Sequence, residues 1–359
     1  MQSLLLLPLI ILLQFACCEA EAPLFRTVHG ITDCEEDRDG DNVRVHRCFG
    51  GPTAEGEWRQ TFDPFLVFDA YRNTARPQFQ NGFPAHPHRG FLELRYITDG
   101  PGLFHNDSCG NRGWTRAGGI QALFTGRGII HEEIPLNSAT HGTRRGMISC
   151  AEDACAEDAL SALETDGLAG ADPNRFFGFQ IWVNVPNRNK TMPPRYQNFH
   201  LFPTVHLQNA KVKVFAGALN GVESAAVTYG PVTAFHDRLL FIEVTLKPTR
   251  SASFEIPIDP AQHALVYVIK GVLGIGDPNH RSDVDAVFDG QLAVLNPGKR
   301  LFGTAVPNES GAVEGATFLL LSAPKVREQT FVGSGFVAGS RGDLDRAMED
   351  LRNGQSSHC

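Results

Sequence analysis

Two stretches of this chain repeat one pattern, alternating apolar residues closed by glycine, at one fixed distance. "YITDG" ends at Gly100 and "VIKG" at Gly271, while "GIQALFTGRG" starts at Gly119 and "GQLAVLNPGK" at Gly290, so each pair stands 171 positions apart. Self-similarity over that length predicts two copies of one domain, the first over 24–200 and the second over 201–335. Inside each copy the apolar residues run with period two in short segments: "LELRYITDG", "IQALFTG" and "FGFQIWVNV", then "LLFIEVTL", "ALVYVIKGVLGIG", "QLAVLN" and "ATFLLLSA". Short alternating runs between turn residues favour closed β-barrels or jelly rolls. The expected class is mainly β, two barrels with few helices.

Two segments break the alternation. "AEDACAEDALSALE" (151–164) is rich in Ala and Glu and predicts a surface helix, inserted in the first copy within 137–175. "DLDRAMEDLRNG" (343–354) places Leu344, Ala347, Met348 and Leu351 at i, i+3, i+4 and i+7, with Asp343 as N-cap and Gly354 as the stop. That predicts a C-terminal helix in a closing segment, 336–359, with its apolar stripe on a barrel. The 359 residues are 42% apolar, enough for cores of this size, and carry a net charge of -8 without a long basic run. Such a balance argues against nucleic acid and against an anionic membrane surface. A small-molecule or protein partner and a monomeric state are the expectation.

The first twenty residues, "MQSLLLLPLIILLQFACCEA", hold an apolar run from Leu4 to Leu13 and a small residue at Ala20. The run is broken by Pro8 and is shorter than the roughly 20 residues that cross a bilayer, so it reads as a secretory signal peptide over 1–20. A secreted or luminal protein is expected, without membrane attachment after its removal. Six cysteines then remain, Cys34, Cys48, Cys109, Cys150, Cys155 and Cys359, and their even number suggests disulfides. The pairs nearest in sequence are Cys34 with Cys48 and Cys150 with Cys155. No CxxC pair points to structural zinc. Sequons at Asn106, Asn189 and Asn308 fit an extracellular chain and would mark surface loops if used.

"FPAHPHRGF" places His86 and His88 two apart, so on a strand both rings face one side. Pro87 between them is tolerated at a strand edge. In "GRGIIHEEIP", His131 and Glu133 share a face and Glu132 takes the other. Two such strands lining one interior would bring three imidazoles and a carboxylate together, a set suited to a divalent first-row metal with positions left open. A shift of 171 carries the four onto Pro257, Asp259, Phe302 and Thr304, none of which replaces an imidazole. Loss of all four from the second copy is what a single shared task would produce.

"FPAHPHRGF", "GRGIIHEEIP" and "FQIWVNVP" resemble segments of the pirin family, two-barrel members of the cupin superfamily. Similarity extends through "FRTVHGI", "RCFGG", "DPFLVFDAYR", "PRYQNF" and "GFVAGSRGDLDRAMEDLRNGQ", nearly the whole chain after the leader. The resemblance implies Fe(2+) in the first barrel, held by His86, His88, His131 and Glu133, with no metal in the second. It also marks departures. Leu92 stands where pirins commonly carry Glu, and Glu93 follows it. Strict alternation turns Glu93 away from His88, so Glu133 is preferred as the carboxylate ligand.

Some pirin-like proteins resemble quercetin 2,3-dioxygenases, which implies ring opening of a flavonol or related phenolic with O2. On that reading Glu133 also accepts the substrate proton, Phe83, Phe91 and Phe124 supply an apolar wall, and Arg89 braces the site from behind. His105 and Asp107 read as loop residues, with a supporting place behind the metal ligands as the other option. The alternative is a non-enzymatic, redox-responsive iron-binding protein that engages a protein partner. Secretion favours the enzyme, because the partner machinery of the family is nuclear. No GxSxG, GxxxxGK or Rossmann fingerprint suggests other chemistry.

Overall fold

The computed structural model describes residues 21–51, 61–72, 74–75, 79, 81–135, 175–220, 228–232, 238–250, 252–280, 282, 284–355, 357 and 359. The leader, Cys150, Cys155 and the helix expected at 151–164 lie outside the described residues. Among those described, no helix is long and apolar enough to cross a membrane.

The chain is mostly β, arranged as two cupin-like barrels. An eight-stranded sheet and a four-stranded sheet form the first. The larger runs in the order Arg195–Phe199, Ile120–Phe124, Phe91–Asp99, Arg175–Asn184, Phe65–Ala70, Val43–Gly50, Glu35–Asp39. The smaller runs Phe83–His88, Ile129–Pro135, Leu103–Asp107, Arg112–Thr115, so Pro87 lies in an edge strand, where its missing N–H costs little. A ten-stranded sheet makes the second barrel, with the long strand Gln262–Gly276 at its centre.

Period-two burial explains how the barrels join. In strand Phe91–Asp99 the residues Leu92, Leu94 and Tyr96 face the other barrel and pack in one core with Phe215, Phe241, Tyr267 and Leu319. Fully burying each such side chain contributes on the order of 1.5–3 kcal/mol. Their neighbours Glu93 and Arg95 therefore point into the first barrel. The second barrel is filled by Val212, Ile242, Phe254, Ile256, Val266, Leu301 and Phe318, all apolar.

The two copies correspond, but not at one offset. Gly100 and Gly271 both hold a left-handed φ, +102° and +82°, and a Cβ there would meet the carbonyl oxygen of Arg175 at 2.3 Å or of Gly315 at 2.1 Å. By contrast, Gly290 (φ +87°) matches Gly118 (φ +82°), one position off the constant spacing. That slip reverses strand parity. Phe302 is only partly buried and stacks edge-on against Phe25, and Pro257 is exposed, so neither faces the second interior. The inward positions there are Phe254, Ile256, Leu301 and Ala305, an apolar set.

The chain ends cross over. Strand Val28–Asp33, assigned from sequence to the first domain, pairs with Gln291–Leu295 of the second. Arg26, fully buried, donates to the carbonyls of Asn296, Asp259 and Gln262 and anchors that crossing. Conversely, Val332 and Val337 pack with Leu66, Phe91 and Trp182 of the first barrel. The C-terminal helix spans Arg341–Arg352 and buries Leu344 and Ala347. Its N-cap is Ser340, not Asp343: the Ser340 hydroxyl accepts from the Asp343 N–H at 3.1 Å. Gly354, at φ +71°, follows its end.

Candidate metal centre

Strands Phe83–His88 and Ile129–Pro135 pair antiparallel with His86 directly opposite His131. Strand Ile129–Pro135 alternates, burying His131 and Glu133 while Glu132 turns out to accept from Asn106. The Nε2 atom of His86 lies 3.0 Å from that of His88 and 3.0 Å from that of His131. Nitrogens bound at about 2.0–2.1 Å to one metal stand roughly 2.9 Å apart at right angles and roughly 3.3 Å apart in a tetrahedron. The observed spacing is of the size that ligands of one ion require.

The outward ring nitrogens support the same assignment. Nδ1 of His86 donates to the Pro84 carbonyl at 2.7 Å, and Nδ1 of His88 to the Gly335 carbonyl at 3.2 Å. With its proton held on Nδ1, each ring presents a free Nε2 lone pair to the centre. Burial pushes His86 and His88 down to about 4 and His131 well down, so the rings are neutral and able to bind a metal at neutral pH.

Two buried carboxylates adjoin the imidazoles. Glu133 accepts from Gln121 Nε2 at 2.6 Å and pairs with Arg95. Glu93 accepts from the same guanidinium at 3.2 Å and brings its other oxygen within 3.6 Å of His131 Nε2. The expectation that Glu93 faces away from His88 is therefore not met. Gly90, at φ +87°, turns the corner between the two sheets, so alternation counted from His88 does not carry through. Burial raises the carboxyls of Glu93 and Glu133, and the Arg95 charge opposes that rise. Arg95 also donates to Tyr71 at 2.5 Å, whose hydroxyl donates to Gln180 at 2.6 Å.

A cavity of about 440 Å³ opens on His86 and His88 and is lined by Phe83, Val67, Gln180 and Trp182 among others. Phe83, expected from the sequence to face a substrate, lies in the lining of this cavity. Phe91 lies behind, stacked on Trp182 at 4.3 Å, and Phe124 sits in the core between the barrels. Arg89 does not reach the imidazoles: its guanidinium bonds Asp350 of the C-terminal helix at 3.2 Å. Its backbone matters more, because the Gly335 carbonyl accepts from both Arg89 N and His88 Nδ1. Glu133 and His131 lie behind the residues that line the cavity.

Nothing in the sequence marks Arg95, Gln121, Tyr71 or Trp182, and the loop placement expected of His105 and Asp107 is not met. Both are buried in strand Leu103–Asp107, with His105 Nε2 2.9 Å from Asp107 Oδ2. The HxD spacing, the same as in HPH, was the available signal. Asn106 between them is fully buried, so this sequon does not mark an exposed loop. Cys34 pairs with Cys48, and Cys109 with Cys359.

Residues 42–147 match the family model described as Pirin, and residues 241–357 match that of the Pirin C-terminal cupin domain. The chain belongs to the pirin family. A pirin-like protein of Caulobacter vibrioides is 29% identical over 340 residues, 93% of this chain and 98% of its own length. A Vibrio cholerae protein named "Putative quercetin 2,3-dioxygenase" is 27% identical over 332 residues, 92% of this chain and 97% of its own. The crystal structure of a quercetin 2,3-dioxygenase from Acinetobacter baumannii superposes with a TM-score of 0.68 at 22% identity, over 93% of this chain and 99% of that one. The pirin architecture places His86, His88 and His131 as a group able to hold a divalent metal.

Proposed function

We propose that this pirin-family chain is a secreted, iron-dependent dioxygenase that opens the ring of a flavonol or related phenolic with O2. The observation that carries the proposal is the convergence of three Nε2 atoms, each with its outward nitrogen turned to a partner, with two of the rings, His86 and His88, lining a cavity of drug-like size. The name of the Vibrio cholerae relative points to the same chemistry. When bound, the metal supplies Lewis-acid polarisation of a substrate oxygen and a redox partner for O2.

The side chains supply the rest. Phe83 and Trp182 offer apolar surface to an aromatic ligand. His86, His88 and His131 hold the cation. Glu133 is the carboxylate expected from the sequence and Glu93 the one nearer His131; Arg95 ties to both, so one can turn to the cation while the other keeps the guanidinium neutralised.

Aerobic incubation of the iron-loaded protein with quercetin tests the proposal. Loss of the flavonol absorption band with wild type and its persistence with His88→Ala is the expected result. An inert protein that holds iron tightly overturns it and favours a redox-responsive binding role. Secretion is checked separately: the exported chain is expected to begin after Ala20.

A further inference from the structure

The three imidazoles differ in what stands behind them. His86 and His88 turn Nδ1 to backbone carbonyls, but His131 turns Nδ1 to another imidazole: His105 Nδ1 lies 3.5 Å away. Two ring nitrogens can share a contact only if one carries the proton and the other a lone pair. His105 Nε2 faces Asp107 Oδ2 at 2.9 Å, and a carboxylate only accepts, so the His105 proton sits on Nε2. Its Nδ1 is then the acceptor and His131 Nδ1 the donor. With His105 neutral this is the one assignment that satisfies both contacts, and His105, His131 and Asp107 are at most 1% exposed. The geometry is held from outside. His105 stacks on Tyr196 at 4.4 Å, and Asp107 Oδ1 accepts from the N–H groups of Cys109 at 2.9 Å and Asn111 at 3.0 Å.

We propose that His105 and Asp107 are positioning residues that fix the tautomer of His131 and, through the carboxylate charge behind the pair, strengthen its Nε2 as a metal donor. The inference rests on the metal-centre reading above and deepens it. An ion at the alternative group of His105, His131 and Glu133 is the competing use of the same atoms. That ion would draw on the two rings whose Nδ1 atoms face each other.

Asp107→Asn is the informative change, because the N–H groups of Cys109 and Asn111 keep the remaining oxygen at the Oδ1 place. The amide nitrogen then falls at Oδ2, where Asn111 now donates at 2.9 Å and must turn its amide oxygen inward; the new amide donates to His105, which moves the His105 proton to Nδ1 and sets two donors face to face. Co(II) or Ni(II) affinity of the full chain, measured by chelator competition, is expected to fall about 10–100-fold. His105→Gln removes the acceptor, whereas His105→Asn keeps an oxygen near the place of Nδ1, so the expected order is wild type, then Asn, then Gln. A role as mere filler gives the reverse order, since Asn leaves the larger void. In the Co(II) protein the hyperfine-shifted exchangeable ring N–H signal of His131 is expected to move or vanish in Asp107→Asn, with those of His86 and His88 unchanged. Unchanged affinity and signals, or two bound ions per chain, would overturn the inference. A wild type that binds no metal would instead overturn the centre itself.

Discussion

Inside the first barrel the guanidinium of Arg95 is paired with the carboxylate of Glu133, neither side chain more than 1% exposed. Glu93 shares the same cation. Breaking a buried pair from one side costs about 3–5 kcal/mol, because the charge left behind loses its partner. Metal-free Arg95→Met is therefore expected to unfold at lower urea by about that amount. Added metal should recover much of the loss, since both carboxylates are then free to turn to the cation, so the variant gains more from metal than wild type does. Equal gains in urea titrations with and without metal would show that Arg95 and the metal do not compete.

Gly90 governs how the closing segment meets the site. A Cβ there would lie 1.9 Å from the Val337 carbonyl oxygen, at a backbone φ of +87°. Gly90→Ala must displace residues 335–337, and with them the carbonyl that orients His88. The expected result is a stability loss of more than about 1 kcal/mol, together with a roughly tenfold fall in metal affinity. Gly118→Ala, at φ +82° with nothing within 4 Å of the added carbon, is the control. It should cost stability alone, and matched metal affinities for the two variants would refute the link to His88.

These two residues also show what the sequence could reveal. His86 with His88, and His131 with Glu133, are legible because each pair lies within one strand, where parity is certain. Glu93 was misjudged because Gly90 turns a sheet corner between it and His88, and parity does not survive a corner. Arg95 went unnoticed for the same reason: a charged residue in an alternating run reads as solvent-facing unless the run is known to be buried on both sides. Strand Val28–Asp33 carries no mark of the partner it takes, since pairing across 250 or more residues depends on the assembled fold. The helix start moved to Ser340 because a serine three residues before Asp343 accepts its N–H, a capping pattern present in the sequence.

His263 provides a pH prediction away from the metal centre. It is 7% exposed, its Nδ1 donates to the Asp63 carbonyl at 2.9 Å, and burial pushes it down to about 4. The unfolded chain binds that proton near 6.5, so between pH 6.5 and 4 the unfolded state holds more protons and stability falls as pH falls. The full contribution is present above pH 6.5, and about 3 kcal/mol is lost on reaching pH 4. His263→Asn keeps a donor for Asp63 but does not titrate. Unfolding free energies of the two proteins should converge as the pH drops, by about 1 kcal/mol per unit near pH 5; parallel curves would exclude His263.

The two disulfides among the described residues close loops of very different length, 14 residues for Cys34–Cys48 and 250 for Cys109–Cys359. If restriction of the unfolded chain dominates, their removal costs about 3 and about 5 kcal/mol respectively. Local contacts argue for the opposite order. Cys34–Cys48 spans the hairpin of Glu35–Asp39 with Val43–Gly50, whereas Cys109–Cys359 fastens a tail held otherwise by Ser357 on Ser108 and by Arg127 on the Cys359 carbonyl. Native fraying of that tail costs little, so only the entropy of the long loop can make its bond the more stabilising one. Urea unfolding of the paired Cys→Ala variants decides between the two: a larger loss for Cys109→Ala/Cys359→Ala supports the entropic account, and a larger loss for Cys34→Ala/Cys48→Ala supports the hairpin.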